Sequence, residues 1–538
     1  MRLRSLFTAG VTGVLIVGAA WAGVGLAPVP TAIPGAPGSR TPTTARSLDG
    51  ANVGIGDDLG PDEALVGAAK VDIKPMPDES KGEVWEHDDA AKCLPMTSGD
   101  VEGSLTHAAN WRLPWIENTN CIYMGGFGIG PSQPVLGWDD YDADVPAGGE
   151  NGYGLWARSF AVSRGGGTLV LTILDGEGYN GLYNKLCPSD EACGAHDLAA
   201  QLGAELGLDP ASFVFSSTHA HSSMDFIGGW GGVPEWYMRQ VANAMRTSVR
   251  EAVGQMVPAR LEAGDTLARP YNNERRDTYH SAEDPTVNWI RAVGRDDETV
   301  ATVATFAAHA TSFGSDETVA HADWPGVFAK RVEERFGGIG LAFESGLGNM
   351  SAGRNSRGSM GKALADLLPG IGGGTLVTQP DVNVAQTFWD QPVTNTPLMT
   401  LGTGGFFDRP FQSASAQITP AKEGSNKPCV SASGVSVHVA ATAARIGGVI
   451  VTAAPGEIFA NFSNTIEEMA PITGLAIGQA NDALGYMPQS FETDHAARQG
   501  PGFAGGGMFE YEDAYSIDAC FGDKTLETQI AMIRALFS

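Results

Sequence analysis

Apolar residues follow two alternating signatures along this chain. Short unbroken apolar runs recur at 168–174, 213–215, 300–308, 340–343, 448–453 and 475–477, each bounded by glycine or polar residues. Runs of that length without polar alternation predict strands covered on both faces. Helical spacing occupies the intervening stretches 197–206, 235–253 and 323–336. In the second of these, Val241, Met245 and Val249 form a stripe, Pro234 suits the first turn and Gly254 suits the stop. Residues 370–434 are rich in Gly, Thr and Pro and predict loops and antiparallel strands. There is no internal repeat. The pattern predicts an α/β fold, with mixed sheets and helices in one large domain over residues 65–538.

The N-terminus has a different pattern. Arg2 and Arg4 precede an apolar run over 6–20, and Ala20-Trp21-Ala22 fits a small-x-small cleavage site. Apolar residues continue to about Ala27, so residues 1–27 predict a signal peptide or an uncleaved N-terminal anchor. Either one places the body of the chain outside the cytoplasm. Residues 28–64, with a Pro-, Gly-, Ser- and Thr-rich start, predict a flexible spacer. No later segment is apolar for long enough to span a membrane.

Composition narrows the possible partners. The chain has 538 residues, 62 of them acidic and 34 basic, for a formal net charge of −28. That balance excludes nucleic acid as the expected partner and disfavours docking on an anionic membrane through a basic patch. The six cysteines are Cys93, Cys121, Cys187, Cys193, Cys429 and Cys520. An even count in an exported chain predicts disulfides, with Cys187 and Cys193, across a short turn, the easiest pair to close. No C-x-x-C is present, which argues against a thiolate zinc site.

Several polar residues fall where predicted strands end, and ligands of open α/β sheets bind there. His219 and His221 follow the strand 213–215 and, at i and i+2 of an extended segment, face one cavity. His309 ends the strand 300–308. His321-Ala322-Asp323 precedes a helix, where it suits a metal, a supporting contact or an N-cap equally. Pro455-Gly456-Glu457 follows another strand, where Glu457 is either a carboxylate ligand or a favourable charge at a helix start. Gly346-Leu347-Gly348-Asn349-Met350-Ser351 is a Gly-rich turn presenting a hydroxyl, without the G-x-S-x-G of a nucleophile elbow.

In this order and context the motifs resemble the neutral, non-lysosomal ceramidases. That family carries T-H-T-H-S, V-H-x-T-S, G-D-V-S-P-N, P-x-E and N-D-Y-x-x-Y segments. This chain has Thr218-His219-Ala220-His221-Ser222, Ala308-His309-Ala310-Thr311-Ser312, Gly348-Asn349-Met350-Ser351-Ala352, Pro455-Gly456-Glu457 and Asn481-Asp482-Ala483-Leu484-Gly485-Tyr486. Ala68-Ala69-Lys70-Val71-Asp72-Ile73 resembles the family's opening strand, so the resemblance spans about residues 65–490.

The resemblance implies a Zn2+ site of His219, His309, Glu457 and Tyr486, with a position left for water. It implies catalytic or substrate contacts for His221, Ser351, Arg275 and Tyr511. It also implies an extracellular enzyme cleaving the N-acyl bond of ceramide or a related N-acyl lipid to a fatty acid and an amine. The expected partner is a lipid or N-acyl small molecule, met at a membrane surface or micelle.

Departures from the family fall on the substrate side. Ser222-Ser223-Met224-Asp225-Phe226 replaces S-G-P-G-G, and Asn349 and Ala352 replace Asp and Pro. A C-terminal β-sandwich domain of the full-length family members is not expected in this chain. Two other readings remain open. One is a metal-dependent esterase or phosphoesterase, with His321 and Asp323 on a second metal. The other is a non-catalytic binding protein.

Overall fold

The computed structural model describes residues 59–88, 93, 120–127, 132–276, 282–313, 317–353, 358–420, 429–493 and 511–538. The expected leader at 1–27 and most of the expected spacer lie outside these residues. The first described strand, Glu63–Asp72, already begins within the last residues of the expected spacer.

Two large sheets form the centre of the fold. The first has nine strands, built around Glu63–Asp72, Trp156–Arg164, Gly167–Leu174, Phe213–Ser217, Val257–Leu267, Thr286–Gly294, Thr299–Phe306 and Ile339–Glu344. Its pairing is mixed. Gly167–Leu174 runs parallel to Phe213–Ser217, and Thr299–Phe306 runs parallel to Ile339–Glu344, whereas the central pairs are antiparallel. The second sheet has four strands, Val382–Pro392, Ser436–Ile446, Val449–Ala453 and Thr473–Ile477.

Alternate residues of each strand enter different cores, as the strand period of two requires. Val66, Phe160, Val162, Leu169, Leu171 and Val214 pack against Val384, Ala444, Val449 and Leu475 of the second sheet. The intervening residues Leu65, Ala69, Ala161, Val170 and Phe215 face the other way. They pack under Leu198 and Leu202 of helix Ala195–Leu206 and Val241 and Met245 of helix Glu235–Gly254. Trp324 and Phe328 of helix Asp323–Phe336 cover another part of the first sheet. Phe521, Leu526 and Ile530 of helix Phe521–Leu536 cover the second. The result is helices, sheet, sheet, helices. Strands sandwiched in this way read as unbroken apolar runs because neither face meets water.

The α/β expectation therefore holds, and each predicted strand and helix is present with ends shifted by at most a few residues. The stretch 370–434 does contain antiparallel strands, but it also contains an unexpected helix, Thr396–Thr403. All six cysteines pair, as Cys93–Cys121, Cys187–Cys193 and Cys429–Cys520. Among the described residues no helix is long and apolar enough to cross a membrane.

Candidate functional site

The candidate residues converge at one end of the sheets. Strand Phe213–Ser217 delivers His219 through a tight turn in which this non-glycine residue has φ +49°. Strand Thr299–Phe306 delivers His309, whose backbone N–H donates to the Met350 carbonyl at 3.1 Å. Strand Val449–Ala453 leads to Glu457, which pairs in parallel with Tyr486. Gly485, at φ +75°, makes this junction, and its carbonyl accepts from the Glu457 N–H at 2.8 Å. Four remote segments thus meet on a backbone framework before any side chain is considered.

Hydrogen bonding fixes both imidazoles. His219 Nδ1 donates to the Glu177 carbonyl at 2.6 Å, and His309 Nδ1 donates to the carbonyls of Leu347 at 2.7 Å and Met350 at 3.2 Å. A neutral imidazole with its proton on Nδ1 has a bare lone pair on Nε2. His309 Nε2 lies 2.9 Å from Glu457 Oε2, and His219 Nε2 lies 3.7 Å from the same oxygen. The Tyr486 hydroxyl sits 3.3 Å from His309 Nε2. Lone pair therefore faces lone pair in a buried site, an arrangement that repels unless a cation or proton lies between them.

Burial sets the protonation states. It lowers His219 to about 4, against the raising effect of Glu457, and lowers His309 to about 3, with nearby Arg275 adding to the effect. Both rings are therefore neutral near pH 7, as metal binding requires. Burial raises the Glu457 carboxyl, opposed by His219 and Arg275, and raises the Tyr486 phenol well above its ordinary value. The donor set, two fixed imidazoles with a carboxylate and a phenol, suits a metal ion. His221 belongs to the same group, since the ring nitrogens of His219, His221 and His309 come within 4.8 Å of one another and can hold a metal ion.

The remaining expected residues take different places. His221 lines a cavity in front of the cluster and stacks on Phe127 at 4.4 Å between ring centroids. Tyr511 lines the same cavity, its ring 5.8 Å from that of Tyr486. Arg275 lies beside the cluster. Its Nη2 donates to the Tyr486 hydroxyl at 2.9 Å and the Gly348 carbonyl at 3.0 Å, and its Nε donates to Glu512 at 2.8 Å. Ser351 sits on the short strand Met350–Ala352, bridged to the His309 backbone, and does not line the cavity. His321 and Asp323 form a separate buried cluster.

Sequence reasoning missed the rest of the cavity wall. Glu177, Asn180, Arg409 and Gln479 all line it and are nearly fully buried. Glu177 Oε1 lies 3.5 Å from His221 Nε2, and burial together with Asp225 and Glu457 raises its carboxyl well above the usual range. Gly125 has to be glycine here, because a Cβ would stand 2.4 Å from Glu177 Oε2. The signal for Glu177 was available, since Asp175-Gly176-Glu177 directly follows strand Gly167–Leu174 at the sheet end where ligands bind. Much of the remaining lining is apolar, with Ile227, Leu398, Phe407, Phe411, Leu484 and Ile517.

No family model and no curated protein matches this sequence. Solved structures do match. The crystal structure of neutral ceramidase from Pseudomonas aeruginosa aligns with a TM-score of 0.57 at 17% identity, over 89% of this chain and 75% of that one. A ceramidase complexed with C2 aligns with a TM-score of 0.53 at 16% identity, over 89% of this chain and 76% of that one. The chain shares the fold of these ceramidases.

Proposed function

We propose that this protein is a zinc-dependent amidohydrolase that cleaves the N-acyl bond of ceramide or a related N-acyl lipid, releasing a fatty acid and an amine. The observation that carries this reading is the convergence of His309 Nε2 on Glu457 Oε2 at 2.9 Å, with His219 Nε2 at 3.7 Å from the same oxygen. These atoms sit beside a cavity lined in large part by apolar side chains. The likeness to ceramidase structures supports the choice of an amide over other hydrolysable bonds.

His219, His309, Glu457 and Tyr486 would hold the metal. Zinc in such a set polarises a carbonyl and brings the pKa of water towards neutrality. Arg275 keeps the Tyr486 phenol oriented through its hydrogen bond. Ser351 holds the backbone that carries His309. His221 and Tyr511, on the cavity side, stabilise negative charge developing on the carbonyl oxygen. The acyl chain lies along Leu398, Phe407, Phe411 and Ile517. Residues 65–538 form the catalytic unit, behind an export leader at 1–27 and a spacer at 28–64. Three disulfides fit an extracellular site of action.

The test measures metal content and hydrolysis of a fluorescent ceramide and a short N-acyl amine together, for wild type and His309→Ala. One zinc per chain, with zinc and activity lost together in the variant, is the expected result. Stoichiometric zinc without amide cleavage would move the substrate to an ester or phosphoester. A wild type without zinc would overturn the mechanism.

A further inference from the structure

Three large apolar side chains of the cavity rest directly on glycines. A Cβ at Gly402 would overlap the Phe411 ring, one at Gly126 the Trp230 ring, and one at Gly178 the end of Ile227. Phe411, Trp230 and Ile227 all line the cavity. Gly402 is the clearest of the three seats. It lies buried inside helix Thr396–Thr403, where the wider φ range of glycine is not used and alanine is the better helix former. The room it leaves is filled by the ring, with Phe411 Cδ1 2.5 Å from the position a Cβ would take, against about 3.5–4.0 Å for ordinary carbon contacts.

Hydrogen bonds trace a line from the metal cluster to this seat. The Tyr486 N–H donates to the Tyr515 carbonyl at 3.4 Å. Two residues on, the Ile517 carbonyl accepts from the N–H groups of Thr394 at 3.0 Å and Asn395 at 3.1 Å. Asn395 then caps the helix. Its side-chain oxygen accepts from the Leu398 N–H at 3.3 Å, while its Nδ2 donates to the carbonyls of Ala514 at 3.0 Å and Ser516 at 2.9 Å. The helix starts from this anchor and carries Leu398 and, four residues later on the same face, Gly402. Gly402 stands about 10 Å along the axis from Asn395 at 1.5 Å per residue. The chain then turns back and lays Phe411 on Gly402, with the Phe407 ring 6.1 Å away.

The apolar lining therefore runs from Tyr486 past Tyr515, Ile517 and Leu398 to Phe411 at its far end. Phe411 has backbone behind it and the cavity in front. It is half-buried, so part of its surface is open to a ligand. A saturated chain offers no hydrogen bonds, and a protein sorts such chains by contact area and room alone. A ring at the end of an apolar line, held back only by a missing Cβ, limits that room. One carbon added behind the ring pushes it into the cavity, and removal of the ring opens the end.

We propose that Phe411, resting on Gly402, sets the length of acyl chain that the cavity accepts. Phe411 meets the end of the chain, and Gly402 acts through it as a positioning residue. This rests on the amidohydrolase reading and specifies the acyl half of its substrate.

The experiment measures kcat/KM for the hexanoyl, decanoyl, myristoyl and stearoyl amides of sphingosine on the intact protein. Calorimetric binding of the four matching fatty acids is measured in parallel. Each variant is judged by its own long-to-short ratio, so a general loss of activity or stability cancels. Gly402→Ala should lower the stearoyl-to-decanoyl ratio by about tenfold or more, and Phe411→Ala should raise it by a similar factor. The double variant Gly402→Ala with Phe411→Leu should return the ratio towards that of the wild type, since the smaller side chain restores the room. A purely structural role for Gly402 predicts no such rescue. Fatty-acid binding should shift in the same directions.

Amides cleaved with an unchanged ratio in both single variants, or with both ratios moved in the same direction, would overturn the length determinant while leaving the amidohydrolase standing. If Gly402→Ala does not fold, Phe411→Ala decides, with a raised ratio supporting the proposal and an unchanged one overturning it. If no amide is cleaved, the amidohydrolase reading fails. The fatty acids then decide the pocket alone, with opposite shifts in the preferred length supporting it, and no shift or no binding overturning it.

Discussion

Two buried clusters in this molecule combine histidine with carboxylate, and only one of them suits a metal. In the first, His219 and His309 direct their Nδ1 protons at backbone carbonyls and turn bare Nε2 lone pairs towards Glu457. In the second, His321 Nδ1 accepts from the Asp323 N–H at 2.8 Å, so the proton sits on Nε2, 3.6 Å from Asp139. Asp323 accepts from Ser312 N at 2.9 Å, Ser312 Oγ at 2.5 Å, Phe313 N at 3.2 Å and Trp324 N at 2.5 Å. Asp139 accepts from the N–H groups of Gly152 and Tyr153. The second cluster is a clasp whose acceptors are all in use. The reading that placed a second metal on His321 and Asp323 therefore has no free ligands to rest on. Both clusters are buried and set histidine against carboxylate, and what separates them is the direction of their histidine protons.

The comparison breaks most visibly at His309. In His309→Ala, zinc content should drop below stoichiometry and amide hydrolysis should fall by more than about a hundredfold, read by metal analysis and turnover on one preparation. Retained zinc with lost activity would show that His309 is not a ligand.

Asp323→Ala should do the reverse. Losing four hydrogen bonds to one buried carboxylate should lower stability by about 2–4 kcal/mol, measured by urea unfolding, with zinc still stoichiometric. Loss of zinc at unchanged stability would make the second cluster a metal site after all.

Tyr486→Phe sharpens the ligand set. Removing a weak phenolic ligand while keeping the ring should reduce kcat by about tenfold and lower only slightly the chelator concentration the protein tolerates before losing zinc. Unchanged kinetics would remove Tyr486 from the set.

The smallest effect concerns a third buried acidic cluster, in which Asp284 accepts from Ser463 at 2.6 Å and Glu467 accepts from Asn288 at 2.6 Å. Burial and the neighbouring Asp284 raise the Glu467 carboxyl. A carboxyl raised in the folded state contributes its stability below the ordinary Glu pKa and loses it as pH climbs through the raised value. Glu467→Gln should therefore raise Tm by a few degrees at pH 8, roughly 2–4 °C per kcal/mol, and change little at pH 4. An increase of the same size at both values would refute the titration.

The sequence itself determined the elements that are buried on both faces, because apolar content alone marks them. The strands Gly167–Leu174, Val449–Ala453 and Thr473–Ile477 and the helix Glu235–Gly254 were legible on that ground. Strands such as Trp156–Arg164 were not, since buried Arg158, Ser159 and Ser163 interrupt the apolar run and find their partners only across the sheet. His219, His221, His309 and Glu457 were legible through short motifs at strand ends. Arg409 and Gln479 carry no motif; Arg409 reaches the cavity on the segment after helix Thr396–Thr403, and Gln479 from just beyond strand Thr473–Ile477. Only the tertiary structure decided which histidine nitrogens remain open and which buried groups lack partners. Both depend on backbone carbonyls and N–H groups from segments far apart in the chain, and no local run of side chains encodes those.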